Sequence, residues 1–304
     1  MSNILSFDIG GTYIKFGIIN NKGIILISNK VPTPRITAFQ GRDLLNLIIS
    51  ISDRYISEFN CVAVGISCHG VIDHVYGEVK VSSYHLPTLA GLPIVSTIED
   101  RFKIPVYIDN DAKAAAIGEY WAGSAKNYKN FIFIALGTSI GGAIIIDGKI
   151  YRGVGNVAGE IGFLVTNESD NSNNFIPGAW ECYGSASSLV KRYKKIKGID
   201  VNANDFNDAL NNKEWEAEEV LREYISSLAT GIISLAHILS PQAFILGGGI
   251  TSMGAKLIDP LVLEFKKRSL ASVHDIQFKM ATLGNDAGII GAAYIARQKL
   301  TELV

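Results

Sequence analysis

The sequence is poor in cysteine and has no paired spacing of metal-binding residues. Its three cysteines, Cys61, Cys68 and Cys182, are widely separated and form no C-x-x-C pair. Neither a disulfide framework nor a thiolate zinc site is therefore expected. The five histidines show no H-x-x-x-H spacing, so a histidine metal site is not indicated either. These absences favour a reducing compartment, and we expect the cytoplasm.

The sequence also lacks a charge excess and long apolar runs. Its 28 Lys and Arg nearly balance 29 Asp and Glu, which leaves a net charge of −1 and no field that would attract nucleic acid or an anionic membrane. Apolar runs such as Phe131–Leu136 fall far short of the roughly 20 residues that span a bilayer. From the first residues of the sequence we expect no export signal. We expect a small-molecule partner, with no nucleic acid and no membrane.

The arrangement of the remaining segments predicts two lobes with a cleft, as suits 304 residues. An apolar strand at Ile4–Ile9 meets a glycine turn, and the same order recurs at Phe131–Leu136, roughly 120–130 residues later, which indicates an internal duplication. Helical spacing of apolar residues marks Arg42–Phe59 and Glu214–Leu239. Strands alternating with helices predict an α/β protein with partly parallel sheets.

Three glycine-rich turns are candidates for binding ATP. Gly10-Gly11-Thr12 and Gly137-Thr138 follow apolar strands, where exposed backbone N–H groups can hold phosphate oxygens. The alternative is a tight hairpin at each position, and neither turn fits the Walker pattern. Gly247-Gly248-Gly249 also follows a strand and would either admit a nucleotide to the backbone or form a plain loop.

Carboxylates at two strand ends are candidates for the chemistry. Asp8 ends an apolar strand, where burial is costly unless the carboxylate binds a cation, water or backbone donors. A Mg²⁺-linked role, directly or through water, and a structural role in the turn are both open. Asp109-Asn110-Asp111 lies between a strand and a helix. Because three such residues exceed the needs of one helix cap, we expect one of them to be a general base.

Several stretches, taken in order, resemble one family. LSFDIGGTYIKFGI and FIALGTSIGGAII are similar to its two phosphate motifs, and AFILGGGI to its adenosine-contacting strand and loop. VGISCHGVID resembles its G-x-S-x-P-G-x-x-D stretch, with His69 in place of proline, and IDNDAKAAAIGE its N-D-A-N-A-A-A-x-G-E segment. This ordered set resembles the ROK family of sugar kinases and regulators, within the actin, hexokinase and Hsp70 superfamily.

The resemblance implies a duplicated, ribonuclease H-like α/β fold with two lobes and a central cleft. Residues 1–110 would form the N-terminal lobe, completed by the C-terminal helix 287–304, and residues 111–286 the larger C-terminal lobe. It also implies ATP and Mg²⁺ as cofactors and a homodimer as the assembly.

The same resemblance assigns roles to individual residues. Asp111 would be the catalytic base. The substrate ligands would be Asn110, Asp111, Glu160, Glu181, Gly70 and His85. The ATP and phosphate ligands would be Asp8, Gly10, Gly11, Thr12, Lys15, Gly137, Thr138, Gly247, Gly248 and Gly249, with Asp8 also linked to Mg²⁺.

One part of the chain departs from the family. VAGEIGF keeps the sugar-binding Glu160 but has Phe163 where the family has histidine, and FIPGAWECYGSAS lacks the family's zinc-binding cysteines while keeping Glu181. The resemblance therefore implies no zinc, with Phe175, Pro177 and Trp180 packing where the metal would hold the loop.

The expected reaction is ATP-dependent phosphorylation of the 6-hydroxyl of N-acetylmannosamine, since the loss of the zinc motif resembles zinc-free N-acetylmannosamine kinases. The alternatives within the family are a glucokinase and a β-glucoside kinase. Two alternatives come from other classes: a sugar-responsive transcriptional regulator, for which no helix-turn-helix precedes the first strand, and an actin- or Hsp70-like ATPase, which would need no sugar carboxylates.

Overall fold

A computed structural model describes residues 2–82, 86–170, 172 and 174–302. The strands are β1 (Asn3–Ile9), β2 (Tyr13–Asn20), β3 (Ile25–Pro32), β4 (Cys61–Cys68), β5 (Val71–Asp73), β6 (Glu78–Val81), β7 (Val106–Asn110), β8 (Phe131–Leu136), β9 (Ile140–Ile146), β10 (Lys149–Tyr151), β11 (Ala243–Gly247) and β12 (Gln277–Met280). The α-helices are α1 (Gln40–Glu58), α2 (Ile94–Phe102), α3 (Asp111–Ala122), α4 (Glu181–Gly184), α5 (Ala186–Lys197), α6 (Ala203–Asn211), α7 (Trp215–Leu239), α8 (Ala255–Arg268) and α9 (Ala287–Glu302). Among the described residues, no helix is long and apolar enough to cross a membrane.

The chain divides into two compact units. Unit 1 comprises Met1–Asn127, Arg152–Val157 and Thr282–Val304, and unit 2 comprises Tyr128–Tyr151 and Ala158–Ala281. Helix α3 belongs to unit 1, whereas the predicted lobe boundary at residue 110 would have assigned it to the second lobe. The predicted boundary lies at the junction between strand β7 and helix α3. The packing of α3, however, determines the unit to which the helix belongs.

Each unit contains a five-stranded sheet of the same design. The strand order is β3-β2-β1-β4-β7 in unit 1 and β10-β9-β8-β11-β12 in unit 2. In both sheets the first three strands pair antiparallel and the last two join in parallel. The shared order confirms the predicted α/β class and the predicted recurrence of the strand pattern.

The apolar residues that predicted helix α1 form its buried face. Leu44, Ile48, Ile51 and Tyr55 recur at intervals of three or four residues, and all four side chains are buried in the core that also covers β1 and β4. Burying each such side chain contributes about 1.5–3 kcal/mol. The helix runs from Gln40 to Glu58, close to the predicted span of 42–59.

Helices α3 and α9 pack closely because small residues line their contact. A Cβ atom built on Gly291 would lie 1.7 Å from the Ala114 carbonyl oxygen, and one on Gly118 would lie 2.5 Å from the Ala287 carbonyl oxygen. Helix α9 also adds Ile289, with further small residues, to a cluster under the sheet of unit 1. This contact is what holds α3 in unit 1.

Candidate active site

Asn110 joins strand β7 to helix α3. Its side-chain oxygen accepts a hydrogen bond from Lys113 N at 3.1 Å, as the N-cap of α3, and its Nδ2 donates to Gly70 O at 3.1 Å. The cap considered as an alternative is therefore present. One amide N–H is left over from these bonds, so the predicted contact of Asn110 with the sugar stays a prediction.

Asp111 is the first residue of α3, and its side chain is 42% exposed. Its Oδ1 accepts from Ala112 N at 2.8 Å, and its Oδ2 lies 3.4 Å from His69 Nδ1. A general base must reach the proton that it accepts. An exposed carboxylate on the end of a rigid helix meets that requirement.

Asp109 differs from its neighbour because it is buried and fully paired. Arg152 donates to both of its oxygens, from Nη1 to Oδ1 at 3.0 Å and from Nη2 to Oδ2 at 2.6 Å, and Asn110 N donates to Oδ1 at 2.8 Å. A bidentate pair of this kind is strong and directional. Asp109 therefore fixes the backbone next to Asp111, and Lys113 Nζ adds a second tie by donating to Asn156 O.

Asp8 is the next-to-last residue of strand β1 and lies beside the first turn of α9. A Cβ atom on Gly288 would lie 2.6 Å from Asp8 Cγ, and a helix N-terminus attracts negative charge. Ser67 Oγ donates to Asp8 Oδ1 at 2.7 Å. Burial nevertheless raises the pKa of Asp8 to about 6, and the charge of Asp111 adds to the rise.

These surroundings fit Mg²⁺ that arrives with nucleotide. Within the described ranges, no group of three or more His, Cys, Asp or Glu could hold a metal ion. Mg²⁺ commonly uses one or two carboxylates, water and substrate phosphates rather than an all-protein cage. A desolvated carboxylate such as Asp8 is the kind of group that such an ion would stabilise as an anion.

The two phosphate-motif turns are hairpins in the structure. Gly10 N donates to Tyr13 O, and Gly137 N donates to Ser139 O, both at 3.1 Å. These two amide groups are therefore engaged within their own turns. Gly11 and Thr12 are exposed, and phosphate contacts from both turns remain predicted.

The remaining ATP candidates divide by their surroundings. The backbone at Gly249 is open, because a Cβ atom there would meet nothing within 4 Å, whereas one on Gly248 would lie 2.2 Å from Leu136 O. Gly248 therefore packs against β8. Lys15 forms an ion pair with Asp286 and donates to Asn285 O at 3.2 Å, so its predicted role at phosphate would require it to leave that pair.

The candidate sugar carboxylates of unit 2 influence each other. Glu160 is exposed and precedes a 3₁₀ turn at Ile161–Phe163, and Glu181 is the first residue of α4. Burial raises the pKa of Glu181, a hydrogen bond from the Ile140 backbone opposes the rise, and the charge of Glu160 adds to it. Two neighbouring acceptors of this kind suit the hydroxyls of a sugar.

The loop that lacks the family's cysteines is held mainly by Trp180. This side chain is fully buried, and its Nε1 donates to Ser227 O at 3.0 Å. A Cβ atom on Gly231 would lie 2.2 Å from the indole ring, so α7 has a glycine where the ring packs. Phe175 is 91% exposed and Pro177 is also exposed. Trp180 is buried as predicted, whereas Pro177 is exposed and Phe175 contacts the ring of Phe163 while staying largely exposed.

Two substrate candidates remain, Gly70 and His85. Gly70 has φ 125°, and a Cβ atom there would lie 2.2 Å from Val81 O, so only glycine fits at the position that accepts from Asn110. His85 lies outside the described residues.

Comparison with known proteins identifies the family. The model of the ROK family matches residues 4–299. The chain belongs to the ROK family. A glucokinase from Streptomyces coelicolor is 32% identical over 326 residues, covering 98% of each chain.

Solved structures agree with this membership. A ROK glucokinase from Streptomyces griseus, in complex with glucose and AMPPNP, matches with a TM-score of 0.80 and 30% identity, covering 98% of this chain and 100% of that one. A candidate N-acetylmannosamine kinase from Listeria monocytogenes matches with a TM-score of 0.84 and 24% identity, covering 98% of this chain and 99% of that one, and this likeness shows the fold alone. The chain is an ATP-dependent sugar kinase with the actin and hexokinase type of fold.

Sequence reasoning missed two residues that organise the site of this ROK kinase. Arg152 pairs with Asp109, and buried Glu119 accepts from Thr282 N and Leu283 N. Neither contact has a signal in local spacing, because the partners are 43 and more than 160 residues apart. The sequence feature that could have marked these two residues is that each is charged and lies beside an apolar or glycine-rich motif.

Proposed function

We propose that this ROK kinase transfers the γ-phosphoryl group of ATP to the 6-hydroxyl of N-acetylmannosamine. Asp111 accepts the hydroxyl proton, the oxygen forms a bond to the γ-phosphorus, and the bond to the β-γ bridging oxygen breaks to release ADP. Positioning and charge stabilisation supply most of the rate in such transfers. The exposed carboxylate of Asp111, fixed by the pairs around Asp109 and Asn110, supports its role as base.

The other groups hold the reactants. Glu160 and Glu181 accept from the sugar hydroxyls near C1 and C2, and the exposed parts of the glycine turns at Gly11-Thr12 and Gly249 approach the nucleotide. Mg²⁺, when bound with ATP, supplies charge neutralisation at the phosphates. Asp8 would hold that ion, directly or through water.

The observation that carries the choice of sugar is Phe163. This residue is 38% exposed and ends the 3₁₀ turn that follows Glu160, and its ring packs edge-on against Phe175 with centroids 6.2 Å apart. An apolar ring beside the C2-binding carboxylates favours an acetyl methyl over a bare hydroxyl. Burying one methyl-sized group contributes about 0.8 kcal/mol, which is roughly fourfold in affinity.

Glucose is the second candidate, and the comparisons favour it. The relatives at 30–32% identity that are named for an activity are glucokinases, and one of them binds glucose in its solved structure. Glucose has a hydroxyl at C2, which the two carboxylates alone could hold.

A coupled ADP-release assay decides between the sugars. The kcat/KM values for N-acetylmannosamine, glucose, N-acetylglucosamine and a β-glucoside are compared under identical conditions, with Asp111→Asn as the blank. We expect N-acetylmannosamine to be best, and Phe163→His to lower its advantage over glucose about threefold or more, by the methyl contribution above. A tenfold preference for glucose or the β-glucoside, about 1.4 kcal/mol in the transition state, would overturn the N-acetylmannosamine assignment and leave the kinase.

We further infer a cytoplasmic homodimer without bound zinc. The separated free cysteines support a protein without disulfides. The buried Trp180 supports a loop that is stabilised without zinc. Light scattering of the purified protein tests the dimer, and a monomer at micromolar concentration would contradict it.

A further inference from the structure

His69 has a ring nitrogen beside the proposed base. Its Nδ1 lies 3.4 Å from Asp111 Oδ2, and the two side chains are 54% and 42% exposed. At this length the contact is looser than an ordinary hydrogen bond of 2.7–3.2 Å. Contacts in catalytic sites commonly tighten only when substrate is bound. His69 occupies the turn between β4 and β5, directly before the constrained Gly70.

The other charged groups around Asp111 are committed elsewhere. Among the described residues, Lys15 pairs with Asp286, Arg152 pairs with Asp109, and Lys113 Nζ donates to Asn156 O. Asp8 is the carboxylate whose charge interacts with Asp111. Each cation on β2, α3 and the Arg152 segment thus has a partner other than the base.

We propose that His69 is a positioning residue for Asp111, and that its protonation state adjusts the strength of the base. This inference rests on the proposed role of Asp111. Backbone N–H of Ala112 donates to Oδ1, and the imidazole faces Oδ2 at 3.4 Å. When this contact tightens to a hydrogen bond, the carboxylate is oriented at both oxygens and each keeps a lone pair for the sugar proton. Neutral imidazole donates a plain N–H to Oδ2. Imidazolium makes the bond charge-assisted, stabilises the carboxylate anion and weakens it as a proton acceptor.

This arrangement predicts how kcat changes with pH. Protonation of His69 would stabilise the carboxylate anion of Asp111, so acidification that converts His69 to imidazolium lowers kcat. A side chain that donates a hydrogen bond without titrating should keep the positioning and lose this part of the pH dependence.

The test compares His69→Gln and His69→Ala with the wild-type kinase, measuring kcat and KM by ADP release between pH 5.5 and 8.5. We expect His69→Ala to lower kcat about two- to tenfold at pH 8, the range of a single neutral hydrogen bond, with the sugar KM unchanged. His69→Gln should recover most of that loss. The fall in kcat between pH 8 and pH 6 should be about threefold smaller in His69→Gln than in the wild type.

Two controls make the outcomes distinct. His237→Gln, on α7 of unit 2, should follow the wild-type profile, and circular dichroism should show that the variants fold. Equal losses in His69→Ala and His69→Gln at every pH, or no change in either, would overturn the proposal. If Asp111→Asn is inactive while the His69 variants match the wild type, this inference alone fails; if Asp111→Asn stays active, the assignment of the base fails with it.

Discussion

Glu119 offers the sharpest test of how unit 1 is held together. Its carboxylate is fully buried at the end of α3. It accepts from Ser124 N at 2.8 Å, Thr282 N at 2.9 Å and Leu283 N at 2.7 Å, and the hydroxyls of Ser124 and Thr282 add longer bonds. One side chain thus joins the end of α3 to the segment that leads into α9.

The Glu119→Ala substitution would leave three backbone N–H groups without their acceptor. An unsatisfied buried donor costs about 1–3 kcal/mol. Because Ser124 and Leu283 are only half-buried and Thr282 is exposed, the sum lies toward the lower end of about 3–9 kcal/mol. Water entering the vacated space and rotation of the two hydroxyls recover part of it. We expect a loss of about 3–5 kcal/mol in the free energy of unfolding of unit 1, a large share of typical protein stability.

The assay is urea unfolding followed by fluorescence, together with hydrogen exchange at Thr282 and Leu283. Trp121 reports on unit 1, since its ring lies 5.3 Å from that of Tyr294 on α9. The matched control is Glu99→Ala, because Glu99 accepts one backbone bond, from Val106 N at 2.9 Å, and should cost about 1 kcal/mol. A Glu119→Ala loss no larger than that of Glu99→Ala, with exchange unchanged, would refute the reasoning.

The remaining predictions concern the chemistry. Asp111→Asn should lower kcat about 10²–10⁴-fold while ATP and sugar still bind; more than a tenth of wild-type kcat would contradict the base assignment. Because burial raises the pKa of Asp8 from 3.8 to about 6, the folded state holds its proton longer than the unfolded chain, so wild-type stability should fall as pH rises from about 4 to 6. The Asp8→Asn variant has no carboxylate to ionise, so it should be more stable than the wild type by about 1–3 kcal/mol at pH 7.5 but not at pH 4, measured by thermal unfolding without nucleotide. The same variant should be inactive as a kinase. A stability equal to that of the wild type at both pH values would argue against a desolvated carboxylate. Elemental analysis should find no stoichiometric zinc, and activity should survive chelation once Mg²⁺ is restored; one zinc per chain would contradict this.

The sequence predicted the strands, the helix and the turns that depend only on residues close together in the chain. The apolar runs in β1 and β8, the spacing in α1 and the glycine turns at Gly10 and Gly137 all lie within short windows, and the structure has an element at each. The matching strand order of the two sheets follows from the repeat of those windows.

Contacts between distant segments could not be predicted in this way. The assignment of α3 depends on the absence of side chains at Gly118 and Gly291, which becomes meaningful only once the two helices meet. Asp109 and Asp111 look equivalent in the sequence, yet Arg152 buries one and leaves the other exposed. The place of His69 beside Asp111 likewise depends on a turn between strands, where spacing carries no information about direction.

Helix α9 has a consequence for synthesis of the protein. It packs with Ile4 and Ile19 of the first strands, yet it follows the whole of unit 2 along the chain. At a translation rate of about 5–20 residues per second, the apolar surface left by the missing helix would stay uncovered for about 10–30 s on the nascent chain. During that interval the growing polypeptide presents a ready binding surface for chaperones, and substitutions that slow the docking of α9 would lower the yield of active kinase before they alter any property of the finished molecule.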